Sequence, residues 1–340
     1  MAEPRSKKRR LDTEDGKADT VTFKQSSSRF KPTIPRDWTI SVAIPTSIIT
    51  DCVTREQRTT TAGRVARALA VFSVDEVVIF DDSPVESRAS NADPESYTGD
   101  TDPAHFLEHL ITYLETPPFM RKTLFPLHPN LRSQGLLPNL EMPHHPHKDE
   151  WLPYREGLTL EGRPKQGKGT TVDIGMAETV AIAETIPPRT RLTLKMPDGP
   201  RGTPEPVHPA TPRTEGGYFW GYSVRAAPSL SGVFTQSAYE GGYDLSIGTS
   251  ERGLPVSRAF PADRNVDFKH LLIVFGGPRG LEYAAMNDPE LSEMSISGSR
   301  TRELFDQWVN VLPNQGSRGI RTDEAMLIAL TALRGLWETT

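Results

Sequence analysis

At 340 residues, with 36% apolar side chains and a net charge of −5, the chain has room for two domains and a real core. It exerts no global electrostatic pull toward nucleic acid, so any such surface has to be local. One cysteine, Cys52, excludes internal disulfides and fits a reducing compartment, and no apolar run approaches the ~18 residues of a membrane span.

The N-terminus is basic rather than signal-like, which together with the composition predicts a soluble, intracellular protein. Residues 1–35 have almost no apolar content and read as a disordered tail. Within it, Arg5-Ser-Lys7-Lys8-Arg9-Arg10 is a compact cluster at a free terminus, where an import receptor can reach it; it predicts nuclear, even nucleolar, location.

Trp38–Pro45 is a β-branched run stopped by proline, hence a buried strand. Residues 55–72 read as a helix with an apolar stripe of Ala62, Val65, Ala66 and Leu69. Arg58 falls on that stripe, whereas Arg64 and Arg67 face elsewhere. Glu76–Phe80 is the next strand, ending in Asp81-Asp82. Residues 83–103 are polar and predicted mobile, and 104–116 form a short helix around Phe106, Leu107, Leu110, Ile111 and Leu114.

Between 117 and 153 proline occurs eight times, which marks a connector. Its His144-His145-Pro-His147 stretch, with Asp149 and Glu150, resembles metal-ligand spacing, but prolines break it and no second cluster supports it. No metal is expected. Residues 154–224 are short alternating segments separated by Gly and Pro turns, the pattern of a small β-barrel. Its basic loop carries Arg163, Lys165 and Lys168, placed either to follow a phosphate backbone or simply to turn a hairpin. Tyr218, Phe219 and Trp220 add aromatic surface, although Trp220 also suits a core.

The strand-and-helix pattern resumes with Tyr243–Gly248 and with Leu271–Phe275, a run with no polar residue that needs cover on both faces. Another short strand lies within 305–312, and 323–337 is an amphipathic last helix with Thr322 placed to cap it. Strand-helix patterns on both sides of a β-rich stretch imply one α/β domain carrying an inserted barrel.

Three loops follow the late strands: Gly248–Gly253, Gly276–Glu282 and Pro313–Thr322. Ligands of open parallel sheets sit at the C-terminal strand ends, so these loops should converge on one site. A dinucleotide-binding loop is the obvious rival. Its Gly-x-Gly-x-x-Gly spacing is absent, and no later strand supplies an acidic ribose ligand.

The third loop discriminates. Ile320-Arg321-Thr322-Asp323-Glu324-Ala325 resembles the Leu-Arg-Thr-Glu-Thr-Ala-like helix start of the SPOUT methyltransferases, in their uridine-N3 branch acting on ribosomal RNA. The likeness extends to residues 38–82, Tyr218–Arg225, Gly242–Gly253 and Val274–Gly277, which are similar to the RNA methyltransferase family of archaea and eukaryotes. That resemblance implies an α/β fold, a trefoil-knot SPOUT domain over 36–150 and 225–340, with an OB-like barrel inserted at 154–224. It implies a homodimer acting on RNA, with S-adenosylmethionine as cofactor. By the same likeness Thr249, Gly276, Gly277, Leu281, Gln315, Gly316, Ile320 and Thr322 surround that cofactor. Arg58 would enter the partner's site, Arg252 and Arg318 would serve catalysis or contact RNA phosphates, and Glu251 would act as a base. An inert RNA-binding or assembly factor keeping the same fold is the alternative, and a Rossmann-type oxidoreductase a more distant one.

Overall fold

Alternation along the buried strands sets the architecture. The computed structural model describes residues 32–88, 96–147, 150, 152–162, 169–197, 202–261 and 266–338. The basic cluster at Arg5–Arg10, the loop residues Arg163, Lys165 and Lys168, and Asp149 lie outside them.

Strands β1 (Thr39–Pro45) and β2 (Glu76–Phe80) are joined by a helix over Arg55–Val71. Then come a helix at Pro103–Glu115, a shorter one at Pro118–Leu124 and a 3-10 stretch at Pro129–Leu136; no longer regular element interrupts the proline-rich connector among the described residues. Strands β3 (Tyr154–Thr159), β4 (Thr170–Asp173), β5 (Val180–Ile182), β6 (Arg191–Lys195) and β7 (Glu205–Val207) follow. The last four are β8 (Ser223–Ala227), β9 (Leu245–Pro255), β10 (His270–Val274) and β11 (Gln307–Asn310), and a helix at Thr322–Leu333 comes after them.

Six strands make one all-parallel sheet in the order β11-β9-β10-β1-β2-β8. Successive side chains point to opposite faces. Val42, Ile44, Val77, Ile79, Leu271 and Ile273 pack on one side with the helices Arg55–Val71, Pro103–Glu115 and Thr322–Leu333. Ala43, Val78, Phe80, Leu272 and Val274 pack on the other, against Leu230, Leu281 and Leu291 of three short helices. This is the two-sided cover that the unbroken apolar run of β10 requires.

The remaining strands form an antiparallel sheet, β5-β4-β3-β6-β7, around its own small core of Val172, Ile174, Ile182, Leu194 and Met196. That sheet ends at Val207, and β8 already belongs to the parallel sheet. Trp220 therefore lies in the link between the two sheets, buried, its indole N–H donating to Glu156 Oε1 at 2.7 Å. It is a packing residue and not a free stacking surface. Tyr218 and Phe219 sit beside it, both half-buried.

Two local expectations change. The cap of the last helix is Arg321, whose extended backbone (φ −66°, ψ 147°) precedes the helix and whose N–H donates to Glu324 Oε2 at 3.2 Å. Thr322 is the first helical residue, and its hydroxyl is used elsewhere. The segment read as a loop at 248–253 is instead part of β9. It leaves the ladder as a bulge: Trp308 pairs with Gly248, and the next residue, Val309, pairs with Leu254.

Candidate cofactor and active site

The C-terminal ends of β9, β10 and β11 meet around a cavity of about 400 Å³, within the size range of small-ligand sites. The bulge contributes Thr249, Ser250, Glu251 and Arg252; the turn after β10 contributes Phe275 to Glu282; the segment after β11 contributes Val311, Leu312, Gln315, Arg318 and Ile320. The three loops thus converge as the parallel-sheet rule predicts. Of the residues singled out in the sequence, Thr249, Glu251, Arg252, Gly276, Gly277, Leu281, Gln315, Arg318, Ile320 and Thr322 line this cavity; Gly316 does not.

Side-chain to backbone hydrogen bonds hold the loops together. Thr322 Oγ1 donates to Gly276 O at 2.9 Å, tying the helix start to the turn after β10. Thr249 Oγ1 donates to Val274 O at 3.0 Å, and Asn310 Nδ2 to Glu251 O at 2.8 Å. Asn314 adopts φ 60°, a left-handed turn that an asparagine tolerates.

Gly277 is required by a close approach to the turn after β1. A Cβ there would stand 1.9 Å from Ser47 Oγ and 3.2 Å from Asp82 Oδ2, so it would strike the turn after β1 rather than project into the cavity. That neighbourhood was not found from the sequence. Asp82, just past the end of β2, accepts from Ser47 Oγ at 2.5 Å, Ser47 N at 3.0 Å and Thr46 Oγ1 at 3.2 Å. Burial raises its pKa, against the lowering effect of those hydrogen bonds. The pair of acids at a strand end was the available signal.

A second cavity, of about 340 Å³, adjoins the first, with Pro278 and Arg279 in both walls. Thr46, Ser47, Asp81, Asp82 and Asp100 also line it. Arg58 lines neither cavity. Its Nε donates to Cys52 O at 3.2 Å and its Nη1 meets Asp100 Oδ2 at 2.6 Å, with 13% of the side chain exposed. A guanidinium on an apolar stripe is thereby paired, as its burial demands. Arg252 is 74% exposed and 3.4 Å from Glu282 Oε1. Arg318 is exposed at the rim.

His144 and His145 both turn Nε2 toward the carbonyl oxygen of Glu115, so their imidazoles serve the packing between connector and helix.

The cavity suits S-adenosylmethionine in its donor set. Leu281, Ile320, Val311 and Ala325 offer an apolar wall for adenine, hydroxyls of Thr249 and Ser250 suit a ribose, and Glu251 and Glu282 complement a cationic group.

Comparison with known proteins bears on the family. A family described as "Putative RNA methyltransferase" matches residues 39–333. The human 28S rRNA (uridine-N(3))-methyltransferase is 40% identical over 306 residues, covering 88% of this chain and 78% of that protein. Its Drosophila melanogaster counterpart is 42% identical, over 88% of this chain and 62% of its own longer sequence. A solved SpoU methyltransferase from Streptomyces viridochromogenes, in complex with AdoMet, aligns over 91% of this chain and 61% of its own at 13% identity and a TM-score of 0.31, too slight a likeness to bear on fold or site. With the family spanning 39–333, the chain belongs to this family of RNA methyltransferases.

Proposed function

We propose that the chain methylates N3 of a uridine in ribosomal RNA. Family membership makes it an RNA methyltransferase, with S-adenosylmethionine as donor. The acceptor is the finer step, and the single observation carrying it is the 40% identity to the human uridine-N3 enzyme across 88% of the chain.

When bound, the cofactor supplies an activated methyl group on a sulfonium. The protein then has to hold donor and acceptor in line and stabilise the charge that develops. The Thr322–Gly276 and Thr249–Val274 hydrogen bonds tie the three loops to one another. Gly276, Gly277, Leu281, Gln315 and Ile320 bind the cofactor, while Glu251 complements its positive charge or takes a proton. Gly316 follows Gln315 in the same loop but does not line the cavity. Arg252 and Arg318, at the rim, hold RNA phosphates or charge developing on the base. Arg58 serves the same end across a homodimer interface. The loop bearing Arg163, Lys165 and Lys168 contacts the RNA backbone.

The same reading makes the parallel sheet a SPOUT domain whose last segment is threaded as a trefoil knot, and the antiparallel sheet an inserted OB-like barrel. The homodimer cannot rest on the first and last helices as amphipathic faces alone, since Val65, Leu69, Met326 and Leu330 are all fully buried within the chain. It rests on apolar side chains left outside, Val53, Val71 and Leu327 among them. Sedimentation at micromolar concentration tests it, and a fully active monomer refutes it. Import through Arg5–Arg10 would bring the enzyme to its nuclear substrate.

The function is tested by incubating purified protein with ribosomal RNA and labelled cofactor, then digesting to nucleosides for mass spectrometry. Labelled N3-methyluridine is expected. Failure to label any RNA, with the cofactor bound, would favour an inert assembly factor.

A further inference from the structure

On the connector, sharing no lining residue with either cavity, a groove of about 970 Å³ runs between the helix Pro118–Leu124 and the stretch Pro129–Leu136. Its lining includes three cations, Arg121, Lys122 and Arg132, and three rings, Tyr113, Phe125 and His128; among the described residues no acidic side chain lines it. On a chain with net charge −5, such a one-signed concavity is a local feature that composition does not predict.

The cations divide into two kinds. Arg121 is spent on the fold: it donates to Thr116 O at 2.8 Å and Leu114 O at 2.9 Å, and lies 4.8 Å over the Tyr113 ring. Lys122 and Arg132 are exposed and have no polar partner among the described residues. Arg189, from the turn before β6, donates to Thr123 O at 2.8 Å and brings a further cation beside Lys122.

The rings are braced from behind. Phe125 stacks on His109 (centroids 5.7 Å apart, interplanar angle 11°) and meets Tyr113 edge-on at 5.3 Å. His128 packs against Tyr97 at 4.5 Å and His109 at 4.8 Å. Burial lowers the pKa of His109 to about 4, so it backs Phe125 as a neutral ring. Leu127 stands fully exposed beside them. Rings held in place lose little freedom when a planar partner stacks on them.

We propose that this groove binds a single-stranded segment of the RNA substrate, with Lys122 and Arg132 on its phosphates and Phe125, Tyr113 and His128 against its bases. Braced aromatics interleaved with unpaired cations are the combination that single strands use, phosphate neutralisation giving affinity and stacking tolerating any base. An acidic protein segment would use the cations and leave the rings idle. The proposal rests on the reading of the chain as an RNA methyltransferase, but RNA binding is measured without methylation, so either can fail alone.

The test uses the full chain and a fluorescein-labelled single-stranded RNA of about 12 nucleotides, within the usual site sizes, followed by anisotropy across a salt series. Lys122→Ala/Arg132→Ala should bind roughly tenfold more weakly at about 150 mM salt and flatten the log–log salt slope by about 1.4, two contacts at ~0.7 each. Cofactor binding and melting temperature should stay as in the parent. In the unaltered protein, 4-thiouridine in the same RNA should photo-crosslink within residues 113–134. Unchanged affinity and slope, crosslinks wholly outside that segment, or a loss of poly-glutamate binding with RNA binding intact would each overturn the proposal.

Discussion

Arg191 of β6 forks onto Glu115 at the end of the helix Pro103–Glu115, with Nη1 2.6 Å from Oε2 and Nη2 2.9 Å from Oε1. Its Nε also meets Glu156 Oε2 at 2.6 Å, so one guanidinium joins the antiparallel sheet to the α/β layer. Both carboxylates are buried. Burial alone would raise the pKa of Glu115, but the charge and hydrogen bonds of Arg191, aided by His144, outweigh it and hold the carboxyl well below its ordinary value.

Arg191→Met should therefore destabilise the protein by about 3–5 kcal/mol, because two buried charges lose their partner. The sign of the pH dependence follows from the depressed pKa. The stabilisation is complete above the unfolded carboxylate value, near 4.5, and is lost as pH falls from there toward the folded value. Denaturant melts at neutral pH and near pH ~3 should show the parent losing stability on acidification, and the variant losing less. Equal losses would remove the assignment.

Thr322→Val keeps the shape and deletes the hydroxyl that donates to Gly276 O. A net hydrogen bond of about 1 kcal/mol corresponds to roughly fivefold weaker cofactor binding by calorimetry, with melting little changed. Unaltered affinity would mean that the bond does not shape the site.

Gly277→Ala should lower stability by about 1–3 kcal/mol through overpacking and weaken cofactor binding, since the new methyl meets Ser47 Oγ at 1.9 Å. Ser47→Ala in the same chain removes that oxygen and should recover part of both losses. No recovery would place the obstruction elsewhere.

What the sequence made legible was whatever is local or depends on strand order. The runs at 38–45 and 271–275 predicted buried strands because β-branched and apolar residues without polar interruption have nowhere else to go, and both lie in the sheet centre. The convergence of three loops came from the rule for parallel strand ends, and nearly all the named cofactor residues line one cavity. What stayed hidden depends on neighbours far apart in the chain. Thr322 looks like a helix cap until its hydroxyl is seen to serve Gly276, 46 residues away. Gly277 looks like a ligand cradle, yet it is fixed by Ser47 and Asp82, which the pairing of β1 with both β10 and β2 brings beside it. Trp220 is an aromatic in a basic, turn-rich region; only its bond to Glu156 shows it to be core. Arg58 stands out by its place on an apolar stripe, but its partner Asp100 lies in a stretch with no periodic signal.

That ion pair frames the chemical prediction. Uridine N3 must lose a proton before or during attack, leaving negative charge on the flanking carbonyl oxygens. A planar guanidinium can meet both the charge and its geometry, and Arg58 or Arg252 can supply one. Asp100 is 69% exposed, so incoming RNA can displace it from Arg58 at small cost. Lysine in place of Arg58 keeps the charge and loses the fork, so Arg58→Lys should lower turnover by roughly tenfold or more, about the worth of one strong charge-assisted contact, while RNA affinity changes little. If deprotonation has become limiting in that variant, its rate should rise with pH across the range where the parent is flat. Equal losses in turnover and RNA affinity would make Arg58 a binding residue only. A 2′-O-methylated ribose in the digested product would refute the N3 acceptor and leave the methyltransferase intact.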